Sequence, residues 1–250
     1  MKAIVFGGSS GMGKSIAARI CHEGGEVLIC SRNPQKLAAA VNEIGGKINS
    51  KPFDLTNAKS LEQSIQEILN DYGVPDAVVL NGGGPPIGGF EKIDYSQWEK
   101  SVFDYFLSFV MILKLLVPHL QPQASVVFIL SDVVRNVNKD LVISSALRLG
   151  LAGLMKCLAL EYADRPIRFN AISPGPIATE RAEQLMKDRA EREGKPLSEV
   201  VKAFADQLPM RRLGRPEEVA EAAYYLLSKQ SGYTSGTNLI IDGAHNAFPG

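Results

Sequence analysis

The chain has 250 residues, 45% hydrophobic and 22% charged, the composition of an ordinary globular protein. Its 27 Lys and Arg balance 27 Asp and Glu, so nothing in the charge points to nucleic acid or to an anionic membrane. No apolar run reaches the roughly 18 residues that a membrane-crossing helix needs, and the three cysteines, Cys21, Cys30 and Cys157, form no CxxC pair and fit a reducing, cytoplasmic setting.

In chain order, short apolar runs alternate with longer helical patterns. Strands are expected at residues 3–6, 26–30, 48–53, 77–80, 125–130, 168–172 and 238–241. The chain enters the first of these almost at once, so no signal peptide is expected. Most of the runs are apolar throughout, as in parallel strands covered on both faces. Helices are expected at 12–23, 34–44, 58–72, 95–120, 143–163 and 216–228. This alternation predicts one α/β domain: a doubly wound, parallel, seven-stranded sheet with helices on both faces, Rossmann-like. A polar excursion at 178–215 leaves the carboxyl end of the sixth strand and is read as a substrate lid.

The first strand runs into Gly7-Gly8-Ser9-Ser10-Gly11-Met12-Gly13 and then a helix. Glycines let the turn close tightly and let backbone amides approach a pyrophosphate, and the helix N-terminus adds free N–H groups and partial positive charge. A second strand follows about 20 residues on, the context that gives such a turn its meaning. That strand ends in Ser31-Arg32. An acidic residue there would hold the ribose 2′-hydroxyl of NAD, whereas an Arg suits the 2′-phosphate of NADP, so NADP is expected and NAD is the alternative. No metal is expected.

These residues resemble the short-chain dehydrogenase/reductase family along the whole chain. The family's TGxxxGxG stands here as Phe6-Gly7 followed by Gly11 and Gly13, with Phe6 in the usual Thr place. Asp54-Leu55 matches the acidic site that meets the adenine amine, and Asn81-Gly82-Gly83 stands where the family has NNAG. Residues 168–179 nearly copy the segment that closes around the nicotinamide; by this resemblance Pro174, Gly175, Ile177 and Thr179 are cofactor residues. Leu213-Gly214-Arg215-Pro216 and Ser235-Gly236-Thr237 to Asp242-Gly243 match the C-terminal pattern. Within the family, 3-oxoacyl-carrier-protein reductases are the nearest likeness.

The resemblance implies hydride transfer between NADP(H) and a small carbonyl or alcohol, with a Tyr acid, a Ser and a Lys. Ser131 stands at the Ser position. Counting 13 residues on, and counting back from Gly153-Leu154-Met155-Lys156, both place Ser144 at the Tyr position and Arg148 at the Lys position. The family's Asn falls on Tyr105. A serine cannot serve as an acid near neutral pH, and an Arg cannot relay protons. Either the chemistry is rebuilt around Tyr105, Ser131, Ser144 and Arg148, with Asp132 nearby, or the chain is an NADP-binding sensor or scaffold.

Residues 85–89 are expected to line the crevice. Arg181, Arg189, Arg211 and Arg212 lie in or beside the lid and could meet an anionic substrate, though most read as solvated. Val102, Phe103, Phe106, Phe109, Val110 and Leu113 exceed what one sheet-facing stripe requires, which suggests a homodimer or homotetramer.

Overall fold

A computed structural model describes residues 1–246. Seven parallel strands form one sheet in the order β3-β2-β1-β4-β5-β6-β7. They are β1 (Lys2–Phe6), β2 (Glu26–Ser31), β3 (Ile48–Pro52), β4 (Ala77–Asn81), β5 (Ser125–Ile129), β6 (Arg168–Pro174) and β7 (Asn238–Ile241). β1, β4, β5 and β6 sit inside the sheet with covered faces, so runs such as Ala3-Ile4-Val5-Phe6 are fully buried. β3 is an edge strand, and most of its residues are exposed or half-buried.

Helices α1 (Gly11–His22), α2 (Pro34–Ile44) and α3 (Ala58–Asp71) follow the first three strands. Beyond β4 come α4 (Tyr95–Val102) and α5 (Ser108–Leu116), then α6 (Val142–Glu161) after β5. One apolar layer joins the sheet to α3, α5 and α6 through Leu61, Ile65, Phe109, Leu151 and Met155. The other joins it to α1, α2 and α9 (Pro216–Leu227) through Ile16, Ile20, Leu37, Ala223 and Leu226.

Three differences from the sequence expectation stand out. The helix expected at 95–120 is interrupted: Phe103–Leu107 form a π turn between α4 and α5. The Ser108 amide there bonds the Phe103 carbonyl, five residues back, and the Ser108 hydroxyl bonds the Asp104 carbonyl at 3.0 Å. The excursion at 178–215 contains two helices, α7 (Glu180–Glu193) and α8 (Leu197–Gln207). Finally, Tyr95–His119 and Val142–Glu161 are each long and apolar enough, by length and composition, to cross a membrane. That corrects the expectation that no run reaches such a length. In this fold both bury residues against the sheet, at 44% and 33% of the respective apolar windows.

The strand order reverses between β1 and β4. In an open α/β sheet, the crevice for a ligand lies outside the carboxyl ends of the strands at that reversal. Phe6, Leu80 and Phe128 lie in register there, and the loops after them converge.

Candidate active site

The turn after β1 is fixed by steric necessity. Gly7 has φ +67°, and a Cβ on it would strike the Asn81 carbonyl oxygen. A Cβ on Gly13 would strike the Gly7 carbonyl oxygen. The Asn81 side-chain amide donates to the same Gly7 oxygen at 3.0 Å, and the Gly7 amide donates to the Cys30 carbonyl at 2.7 Å. Asn81 therefore braces the turn from β4. Phe6, at the position where the family's Thr would stand, is fully buried against Phe53, with ring centroids 5.0 Å apart.

Ser10 begins α1 with no side-chain bond to the first-turn amides, so the helix end presents free N–H groups. They open onto a groove of 340 Å³ lined by Gly7, Ser9, Ser10, Gly11, Met12, Ser31, Arg32, Leu55, Asn81, Gly82, Gly83 and Thr179. Ser9 Oγ donates to Ser31 Oγ at 2.8 Å. Arg32 is exposed and has no ion-pair partner among the described residues. A cradle that side chains would fill, an uncapped helix end and an unpaired cation fit a phosphorylated dinucleotide. Two expected contacts are placed differently. Gly13 lies inside the turn rather than on the groove wall, and the Asp54 Oδ1 accepts from the Thr56 amide (2.9 Å) and hydroxyl (2.8 Å) instead of lining the groove.

The groove opens into a cavity of 630 Å³. Ser131, Ser144 and Arg148 lie along it with Pro174, Gly175, Ile177 and Thr179, and the lid contributes Arg181, Leu185, Met186 and Phe204. Pro85 and Ile87 line it too. The Ser131 hydroxyl donates to Asp132 Oδ1 at 2.9 Å. Arg148 donates through Nε to Ser144 Oγ (3.1 Å) and through Nη1 to the Ile129 (3.1 Å) and Leu130 (2.7 Å) carbonyls. Burial, and then the charge of Arg181, bring its pKa down to about 10, still cationic at neutral pH.

Tyr105 sits on the π turn. Its hydroxyl donates to the Gly84 carbonyl at 2.9 Å, and the ring lines a separate recess of about 10 Å³ with Ser144 and Arg148. Of the four lid arginines, Arg181 reaches the cavity: its Nη1 and Nη2 donate to the Gly84 (2.9 Å) and Pro85 (3.2 Å) carbonyls. Arg189 pairs with Glu193 and Arg212 with Glu218, while Arg211 is exposed.

Sequence reasoning missed several neighbours. His245 and Asn246 line the cavity, and the Asn246 side chain donates to Asp132 Oδ2 at 3.2 Å. Lys36 on α2 bonds Glu180 of the lid at 2.6 Å across 144 residues of sequence. No spacing rule connects positions so far apart; only the fold brings them together.

A family model described as Enoyl-(Acyl carrier protein) reductase matches residues 7–245. The chain is 29% identical over 247 residues to dehydrogenase/reductase SDR family member 4 of Oryctolagus cuniculus, covering 96% of this chain and 92% of that protein. It is 26% identical over 245 residues to the 3-oxoacyl-[acyl-carrier-protein] reductase FabG of Thermotoga maritima, covering 96% and 95%. Among solved structures, a short-chain oxidoreductase from Pseudomonas aeruginosa PAO1, described as containing an atypical catalytic centre, superposes with TM-score 0.90 at 25% identity, covering 99% and 98% of the two chains. Its NADPH-bound form superposes at 0.89 and 24% identity, covering 99% and 97%. With the glycine turn, the Pro174–Thr179 segment and the family match over residues 7–245 in place, this protein belongs to the short-chain dehydrogenase/reductase family.

Proposed function

We propose that the protein is an NADP-dependent oxidoreductase that interconverts a small carbonyl compound and its alcohol with a rebuilt catalytic centre. One observation carries this reading: Ser131, Ser144 and Arg148 line the same cavity as the Pro174–Thr179 segment, and that cavity is continuous with the dinucleotide groove. Arg32 favours the 2′-phosphorylated cofactor, and the NADPH-bound relative supports the same choice.

The bound dinucleotide supplies or takes up a hydride. The chain's own residues bind and polarise the substrate oxygen. Ser144 Oγ accepts from Arg148 Nε, so its hydrogen is free to point into the cavity. Ser131 gives its hydrogen to Asp132, so its oxygen is left to accept. Ser144 is thus the donor to the reacting oxygen, and the Arg148 charge behind it stabilises negative charge that develops there. Among the described residues no tyrosine lines the cavity itself, so the proton that completes an alcohol comes from solvent water entering the open cavity.

Steady-state oxidation of NADPH with a panel of ketones and 3-oxoacyl thioesters tests the proposal. Turnover above background that disappears in Ser144→Ala supports it; tight NADPH binding with no turnover on the panel would overturn it. The second reading, a dinucleotide-binding sensor or scaffold, is favoured by one fact: the Tyr105 hydroxyl, the nearest phenol, is bonded to Gly84 and lies outside the cavity. A homo-oligomer is also proposed. Phe109 and Leu113 are buried within the subunit, but Leu107 and Leu149 remain 42% and 44% exposed on neighbouring helices. Gel filtration showing a monomer at micromolar concentration would refute it.

A further inference from the structure

The groove and the cavity share five lining residues: Met12, Gly84, Arg148, Thr179 and Arg181. Two of the five are cations. Neither forms an ion pair among the described residues; both donate to neutral acceptors, the carbonyls of residues 129 and 130 with Ser144 in one case, and those of Gly84 and Pro85 in the other. Neither neighbouring carboxylate contacts them: Asp132 acts on Arg148 only through space. Asp132 holds Ser131 and Asn246, and Glu180 holds Lys36. Two guanidinium groups thus face one junction with no carboxylate in contact: Arg148 is largely withdrawn from water, where a cation ordinarily finds a carboxylate or phosphate, and Arg181 stands exposed at the rim beside it. The Arg181 side chain, although exposed on its outer side, lies directly over Gly84, where a Cβ would come within 2.5 Å of its Cζ, and its two bonds to the Gly84 and Pro85 carbonyls hold it at the junction.

We infer that Arg148 and Arg181 form an anion subsite, and that the substrate carries an anionic oxygen group, a carboxylate or a phosphate, beside its reacting carbonyl. This rests on the oxidoreductase reading above. Ser144 takes the reacting oxygen, and Arg181, with the remaining charge of Arg148, takes the anion. Cofactor binding leaves this role open, because the pyrophosphate has the free amides of α1 for its partners.

The test compares matched pairs with NADPH: a 2-oxo acid against its methyl ester, and dihydroxyacetone phosphate against dihydroxyacetone. The anionic member of at least one pair should be favoured by about tenfold or more in kcat/KM, as charge-assisted bonds are worth, and the favoured pair names the anion. That ratio should collapse in Arg181→Met and persist in Arg189→Met, a change on the same helix away from the cavity. Equal turnover within both pairs would overturn the inference. So would Arg181→Met weakening NADPH itself as strongly as substrate, since Arg181 would then serve the cofactor. Calorimetry with malonate and with inorganic phosphate on the NADP-loaded protein separates the two readings. If either anion binds wild type about tenfold tighter than Arg181→Met while no carbonyl is reduced, the anion subsite stands and the oxidoreductase reading falls; if neither binds and nothing is reduced, both fall.

Discussion

Tyr105 and Arg181 converge on one acceptor: the Tyr105 hydroxyl and Arg181 Nη1 each donate to the Gly84 carbonyl oxygen at 2.9 Å. One comes from the π turn beneath the loop after β4, the other from the lid. Together they fix that loop from two sides. Tyr105 is thereby a positioning group. Tyr105→Phe should cost about 1 kcal/mol of stability, the worth of a typical hydrogen bond, and lower turnover by less than about tenfold. Thermal melts and steady-state kinetics check both. A loss of turnover beyond about a hundredfold with an unchanged melt would make the phenol a proton donor instead.

The glycine turn tolerates no side chain at Gly13. In Gly13→Ala the new methyl would meet the Gly7 carbonyl oxygen, and the backbone must move. The expected cost is about 1–3 kcal/mol of stability, as for other overpacked sites, with NADPH affinity reduced at least about tenfold. Urea denaturation and NADPH fluorescence titration measure the two effects. An unaltered NADPH affinity would show that the turn does not contact the dinucleotide.

Arg32 should set cofactor preference. Its exposed guanidinium stands at the end of β2 on the groove wall without an ion-pair partner among the described residues. Arg32→Ala should weaken NADP binding by roughly 10–100-fold, the range for bonds to a charged group, and leave NAD binding within about twofold. Equal losses for both cofactors would remove the 2′-phosphate assignment.

Arg148 ties pH to stability with a definite sign. Its pKa is about 10 in the fold, against 12.5 in the open chain, because burial disfavours the cation. Between those values the unfolded chain holds the proton and the folded chain does not, so stability rises with pH. Comparing wild type with Arg148→Met by urea denaturation from pH 9 to 11, the balance should move toward wild type above about pH 10. A constant difference would show that the guanidinium is not held in a desolvated setting.

Much of the fold was legible because the signals are local. Ile4-Val5-Phe6 and Val126-Val127-Phe128 can only be buried strands, and the glycine turn between β1 and α1 follows from what a tight turn demands. The resemblance to the family, with the register of α6 counted from Gly153-Leu154-Met155-Lys156, also put Ser144 and Arg148 in one site with Ser131, and all three line the same cavity. The π turn at Phe103–Leu107 was not legible, since its apolar residues continue a helical pattern and the extra residue shows only in the Ser108 to Phe103 bond. The contacts of Arg181, Asn246 and Lys36 were hidden for another reason. Their partners Gly84, Asp132 and Glu180 lie 97, 114 and 144 residues away. A single sequence states charge and spacing but not which distant carbonyl a guanidinium will find.

The brace between Asn81 and Gly7 has a mechanical meaning. Asn81 grips the phosphate turn with its side chain, while its own backbone leads directly into Gly82-Gly83-Gly84, whose last carbonyl anchors Arg181 and Tyr105. The glycine turn and the far wall of the cavity therefore hang on the same short stretch of chain. One amide side chain and three glycines thus tie the two compartments to a common strut, so a substitution at Asn81 should disturb both at once.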